Sequence, residues 1–204
     1  MAFVILIGAS GSGKTTIART IASHYSDEVQ VFHFGHIGVP SAQQMIAEYG
    51  SGEAWQRTKT LEWIAKLASV VTASSGVLFE GQTRPSFLAE AFAAMGNIKY
   101  TPILIDCDDR TRARRLSRDR QQPELVADDM MNWARYLRRE AQAHGYEILD
   151  TSALPPHESV AYVLARLREN DTLPVVSFGG ANASADKPNY ADFTDGSEAT
   201  RSVP

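Results

Sequence analysis

The sequence contains a single cysteine, Cys107, among its 204 residues. One thiol excludes an intramolecular disulfide and a metal site built from four cysteines, and it is consistent with a reducing compartment. The apolar run at the N-terminus covers only Ala2 to Ile7 and has no basic flank. Such a run is too short for a membrane span or a signal peptide, so we expect a cytoplasmic protein with no membrane partner.

An excess of positive charge is also absent. Asp and Glu number 24 against 20 Lys and Arg, which gives a formal net charge of −4. Because nucleic-acid binding generally depends on a basic surface, no nucleic-acid partner is expected. Hydrophobic residues make up 44% of the chain, which is enough for a buried core.

Two regions of different composition divide the chain. Residues 1–170 have the composition of one globular domain. Residues 171–204 are rich in Gly, Ala, Ser and Asp without any periodicity, which predicts a disordered C-terminal tail. The alternative for the start of this tail is that Val175–Phe178 docks as an edge strand.

Short apolar runs alternate with helical patterns over the first 170 residues. The apolar runs predict strands at 3–7, 29–34, 76–80, 101–106 and 146–150. Amphipathic spacing and capping residues predict helices at 15–24, 41–49, 53–73, 85–95, 108–118, 124–144 and 157–169. This alternation is typical of an α/β fold with a parallel sheet covered by helices on both faces.

The residues that follow the first strand, Gly8 to Thr15, match the phosphate-binding pattern G-x-x-x-x-G-K-[ST]. The glycines allow backbone N–H groups to converge on an anion, and the next helix presents its N-terminus to the same anion. Lys14 is expected to reach the β- and γ-phosphates of ATP, and Thr15 to bind Mg²⁺. The predicted nucleotide-binding residues of this P-loop are Gly8, Ser10, Gly11, Ser12, Gly13, Lys14, Thr15 and Thr16. The predicted fold is accordingly a P-loop NTPase, with a five-stranded parallel sheet and ligands at the carboxyl ends of the strands.

The segment Glu80-Gly-Gln-Thr-Arg84-Pro follows the third strand. With the P-loop, it makes the chain resemble the P-loop small-molecule kinases, namely the nucleoside monophosphate kinases and the related shikimate and gluconate kinases. The nucleotide kinases carry D-G-[FY]-P-R here, so that Glu80, Gly81 and Arg84 match while Gln82 and Thr83 differ. The resemblance implies the strand order 2-3-1-4-5 for the sheet. It also implies that Gly81 allows close approach of the acceptor and that Arg84 binds its anionic group. Glu80 is either an acid that holds Mg²⁺ through water or a carboxylate that merely ends the strand.

A second match to these kinases is the segment from Arg112 to Arg120, which resembles their helix and lid. Nine arginines and no lysine lie between residues 110 and 139, a choice that favours bidentate phosphate binding or planar stacking. We expect a short lid near residues 112–125. In it, Arg118 and Arg120 would stabilise the migrating phosphoryl group, and Arg112 would stack on the adenine.

The acceptor side departs from the resemblance. Shikimate and gluconate kinases carry an acidic residue after the second strand, where this chain has Gly35 and His36. His36 is therefore the candidate base, with a loop-capping role as the alternative, and His33 inside the strand is expected to be structural. Trp55 either lines the acceptor pocket or packs in the core.

These features predict an enzyme that transfers the γ-phosphoryl group of ATP to a small-molecule acceptor, with a nucleotide or nucleoside as the first candidate. The alternatives are a kinase of another metabolite or of an antibiotic hydroxyl, and a regulatory ATPase that signals to a partner protein. A monomer or a homodimer is expected.

Overall fold

A parallel five-stranded sheet lies at the centre of the computed structural model, which describes residues 2–71, 76–96 and 98–169. The strands are β1 (Phe3–Ile7), β2 (Val29–His33), β3 (Gly76–Gly81), β4 (Thr101–Asp106) and β5 (Glu147–Asp150). Their order is β2-β3-β1-β4-β5, and each neighbouring pair is parallel. This arrangement confirms the predicted fold class. The predicted tail and its alternative edge strand lie outside the described residues.

Helices cover both faces of this sheet. They are α1 (Lys14–His24), α2 (Ala42–Tyr49), α3 (Gly52–Ala68), α4 (Pro85–Met95), α5 (Asp109–Arg114), α6 (Asp128–Ala143) and α7 (Pro156–Arg168). Short 3-10 turns lie at Phe34–Ile37 and Pro123–Leu125, and a π-helical turn at Arg115–Asp119 continues α5. None of the helices in the described ranges combines the length and apolar character needed to traverse a bilayer.

Strand β1 is completely buried because it contributes to two cores. Phe3, Ile5 and Ile7 pack in the core under α3, α4 and α6, whereas Val4 and Leu6 pack in the core under α1 and α7. Successive side chains of a strand point to opposite faces, so an uninterrupted apolar run is what a central parallel strand requires. The P-loop begins where this strand ends, at the edge of the sheet between the two helical layers.

Two helix boundaries differ from the predictions. Helix α3 was predicted to continue to Ala73 but ends at Ala68, where the Ser69 hydroxyl donates to the Lys66 carbonyl and the backbone enters a turn. The helix predicted from Glu124 begins only at Asp128, because Pro123 starts a separate 3-10 turn. Helix α5 is capped by Asp108, whose carboxylate accepts the Thr111 N–H at 2.6 Å.

Candidate functional site

The P-loop connects β1 to α1 in a conformation that requires its glycines. Gly11 and Gly13 have φ angles of 77° and 100°, in the left-handed region that glycine adopts without strain. At Gly8 a Cβ atom would lie only 2.3 Å from the Ile105 carbonyl oxygen of β4. At Gly8 the backbone therefore passes closer to β4 than a side chain would permit, and the loop then leads into α1.

Glu80 lies at the carboxyl end of β3, next to the P-loop. The Thr15 hydroxyl donates to Glu80 Oε2 at 3.3 Å, and His33 Nδ1 lies 2.8 Å from Glu80 Oε1. Burial by itself raises the pKa of the Glu80 carboxyl. The His33 hydrogen bond, the Lys14 charge and the Thr15 hydroxyl outweigh that effect, so the net pKa lies below its ordinary value. Glu80 is thus an ionised carboxylate beside the hydroxyl of the phosphate-binding motif.

His33 is the site residue that sequence analysis assigned to a structural role. It lies directly opposite Glu80 in the register of the β2–β3 pair. Because an ionised carboxylate only accepts hydrogen bonds, His33 Nδ1 carries the proton of this contact. The His36 ring is centred 4.8 Å from the His33 ring, which places the predicted base one ring away from Glu80. The signal that could have identified His33 was a polar residue at the end of a strand adjacent to the one that carries Glu80.

A cavity of about 360 Å³ opens between the start of α1 and the loop that follows β5. Its lining includes Lys14, Thr15, Arg115 and Arg120. Arg118, the other predicted lid arginine, is exposed on the π-helical turn and is not part of this lining. The structure thus brings the P-loop together with one of the two predicted lid arginines, and with an arginine that the sequence analysis did not single out.

Arg112 lies beneath the P-loop rather than in this cavity. Its side chain is fully buried, and its guanidinium donates to the Asp106 carboxylate at 2.6 Å and to the Ser10 carbonyl at 2.8 Å. A side chain without exposed surface has no free face on which an adenine could stack, so the structure does not fit the stacking role predicted for Arg112.

On the acceptor side, three predicted residues lie in packed surroundings. Arg84 is fully buried over the rings of Phe87, Trp133 and Tyr136, and it donates to Glu53 at 3.3 Å. Trp55 is fully buried and packs edge to face on Phe34. At Gly81 a Cβ would lie 2.6 Å from the Phe34 Cβ, so this glycine makes room for that ring.

Neutral polar groups connect the P-loop to α3. The Ser10 hydroxyl donates to Gln82 Oε1 at 3.4 Å, and Gln56 Nε2 donates to the Gln82 carbonyl at 2.8 Å. Gln56 Oε1 and Gln82 Nε2 are buried and have no hydrogen-bond partner among the described residues. One unmet acceptor and one unmet donor therefore lie beside the P-loop, as expected where a polar ligand or water completes a site.

Comparisons with known proteins identify a family for most of the described residues. A model of an AAA domain family matches residues 4–130. No curated protein sequence matches the chain.

Solved structures share the fold at low sequence identity. Shikimate kinase from Acinetobacter baumannii has a TM-score of 0.54 and 16% identity, over 80% of this chain and 91% of that one. A sugar kinase from Janibacter has a TM-score of 0.56 and 18% identity, over 82% and 94% of the two chains. Deoxyadenosine kinase from M. mycoides, solved with dATP, has a TM-score of 0.53 and 12% identity, over 82% and 100%. The predicted likeness to P-loop small-molecule kinases is thus confirmed for the fold.

Proposed function

The chain belongs to the AAA domain family, and from the geometry of its site we propose that it is an ATP-dependent kinase acting on a hydroxyl group of a small molecule. The observation that carries this proposal is the contact of the Thr15 hydroxyl with the ionised Glu80, on the loop that also bears Lys14. P-loop kinases need a cation for the phosphates and oxygen ligands for a metal ion at one place. Here both lie at the carboxyl end of the central strands.

The oxygen atoms of Thr15 and Glu80 fit Mg²⁺, which prefers hard oxygen ligands together with substrate phosphates. When bound with ATP, the ion would neutralise charge on the β- and γ-phosphates. Lys14 would contact the same phosphates from the P-loop, and Arg120 would approach them from the wall of the 360 Å³ cavity. His36, whose ring is centred 4.8 Å from the ring of His33, would accept the proton of the acceptor hydroxyl.

The polar groups on the acceptor side favour an uncharged acceptor molecule, so a nucleoside is preferred to a nucleotide. Gln56 Oε1 can accept one hydrogen bond and Gln82 Nε2 can donate one, so together they complement a hydroxyl or an amide group of the bound molecule. Arg84 donates to Glu53 and has no exposed surface, so the phosphate of a nucleotide would reach its guanidinium only after the surrounding side chains moved.

The test is ADP release from ATP and Mg²⁺ with two panels of acceptors. One panel holds neutral nucleosides and sugars, and the other holds nucleoside monophosphates and hydroxy acids. A large stimulation by one neutral compound supports the proposal, and stimulation by an anionic compound that is lost in Arg84→Lys assigns the acceptor anion to Arg84. Steady ATP hydrolysis that no acceptor stimulates would favour the regulatory ATPase.

A further inference from the structure

Three consecutive backbone carbonyls of the P-loop accept hydrogen bonds from side chains elsewhere in the chain. A loop that turns its N–H groups toward an anion turns its carbonyl groups away from it, and buried carbonyls need partners. The Ala9 carbonyl accepts from the Ser12 N–H at 3.3 Å, and the Gly13 carbonyl accepts from the Ile17 N–H at 3.1 Å. The carbonyls of the three intervening residues, Ser10, Gly11 and Ser12, accept from side chains outside the loop.

Arg112 supplies the donor for the first of these carbonyls. Its Nη1 donates to the Ser10 oxygen at 2.8 Å, while its Nη2 donates to Asp106 Oδ1 at 2.6 Å and to the Cys107 carbonyl at 3.2 Å. Asp106 lies at the end of β4, and its second oxygen accepts from Arg138 Nε at 2.6 Å. The Arg112 guanidinium is therefore held in place by Asp106 at the end of β4 as well as by its contact with the loop.

Arg115 and Thr151 supply the donors for the other two carbonyls. Arg115 Nη1 lies 3.3 Å from the Gly11 oxygen and 3.2 Å from the Ser12 oxygen. The Thr151 hydroxyl donates to the Ser12 oxygen at 2.8 Å, and Arg115 in turn donates to the Thr151 carbonyl at 2.7 Å. Two arginines of one helical segment thus bind three consecutive carbonyls of the phosphate loop.

We propose that Arg112 and Arg115 are positioning residues that hold the P-loop in its phosphate-binding conformation before the nucleotide arrives. Charged donors form stronger hydrogen bonds than neutral ones, and two guanidiniums restrict the rotation of three peptide units. Preorganised N–H groups then bind phosphate without first having to reorient. This inference rests on the proposed ATP site and is independent of the identity of the acceptor.

Arg112 provides the clean test, because it is fully buried and does not line the cavity. The test variants are Arg112→Met and Arg112→Lys, and the lysine variant keeps a charge for Asp106 but cannot bind both partners. The matched control is Arg138→Met, which removes the other Asp106 partner without touching the P-loop. Calorimetry would measure the affinity of each folded protein for pyrophosphate with Mg²⁺, for ATP and for adenosine.

The expected result is a loss of at least about tenfold in pyrophosphate and ATP affinity in Arg112→Met. Arg112→Lys should lose less, and both should bind adenosine as the wild type does. The control should stay within about threefold of the wild type for each ligand, since Asp106 keeps Arg112 as a partner when Arg138 is removed. If Arg112→Met does not fold, Arg112→Lys alone decides the matter by the same comparison.

Unchanged pyrophosphate affinity in a folded Arg112 variant would overturn the inference. An equal loss in the Arg138 control, or an equal loss of adenosine affinity, would overturn it too, because either result indicates general destabilisation. A wild-type protein that binds neither pyrophosphate nor ATP would instead refute the proposed function, and the inference with it.

Discussion

Glu80 is ionised because its polar neighbours outweigh its burial. The proton on His33, the hydroxyl of Thr15 and the charge of Lys14 all favour the carboxylate. Without these neighbours, the buried carboxyl would stay protonated, and therefore neutral, up to a higher pH. A neutral carboxyl is a poorer ligand for a metal ion. The chemistry of this residue is therefore set by β2 and by the P-loop as much as by β3, on which it lies.

The lowered pKa of Glu80 predicts a stability that depends on pH. A carboxyl whose pKa is lower in the folded state stabilises the fold above its ordinary value of 4.5, and this stabilisation is lost as the pH falls through the folded-state pKa. The melting temperature of Glu80→Gln should fall short of the wild type at pH 7, and the difference should shrink on acidification. A difference that is constant from pH 7 down to the acid range would contradict the assigned ionisation. The melting curves would be recorded by circular dichroism.

Lys14 is predicted to act on the transferred phosphate rather than on the fold. Replacing it with alanine should lower the rate of ADP release by at least about a hundredfold, comparable to the loss of one preorganised donor at a site of developing charge. Lys66→Ala is the control, since Lys66 is exposed on α3 and lies over the Trp63 ring. Turnover near the wild-type rate in a folded Lys14 variant would refute the role of the P-loop in catalysis.

The element that most directly connects the site to the rest of the fold is α5 with its π-helical continuation. A π-helical turn widens the helix and changes which faces successive residues occupy. Arg115 on this segment lies against the P-loop, Arg120 lies on the wall of the cavity, and Arg118 is exposed. The predicted lid region therefore contacts the P-loop and lines the 360 Å³ cavity beside it.

The two predicted lid arginines should differ in their effects. Arg120→Ala should lower the rate of ADP release by about tenfold or more, because it removes a cation from the cavity wall. Arg118→Ala should change the rate by less than about threefold, because Arg118 does not line the cavity, whereas the likewise exposed Arg120 does. Steady-state kinetics on the matched pair measure this, and equal losses would show that the lid closes over both.

The molecule as a whole is a sheet with a hydrophobic core on each face, and the site lies at one end of it. Strand β1 contributes to both cores, so the P-loop directly follows a strand that is packed on both faces. Residues 171–204 lie outside the described part of the chain, and their composition remains the only basis for expecting a disordered tail.

That expectation predicts the effect of a truncation. Removing residues 180–204 should change the melting temperature by no more than a few degrees and leave the rate of ADP release unchanged, because a disordered tail buries no apolar surface. Scanning calorimetry and the ADP assay on both proteins would test this. A larger fall in melting temperature would indicate that the tail docks on the domain.

Local patterns in the sequence were sufficient to predict the strands, the P-loop and the start of α5. The apolar run of β1, the glycines of the loop and the acid at the start of α5 each act through neighbours within a few residues. Periodicity and capping depend on such short-range geometry, and for that reason the α/β fold class could be predicted from them. The strand order pairs residues far apart in sequence, and it was predicted from the resemblance to the P-loop kinases. Where these patterns weaken, as after Ala68 in α3, the predicted boundary was wrong.

Only the tertiary structure decided which polar residues meet. Arg112 and the Ser10 carbonyl are 102 positions apart in sequence, and His33 and Glu80 are 47 apart. Arg84 is buried over three aromatic rings that belong to two helices. The sequence by itself determined that a phosphate loop forms at the end of a buried strand. The packing of distant elements determined which arginines face the ligand and which support the loop, because a guanidinium bonds to whatever acceptors the fold brings within its reach.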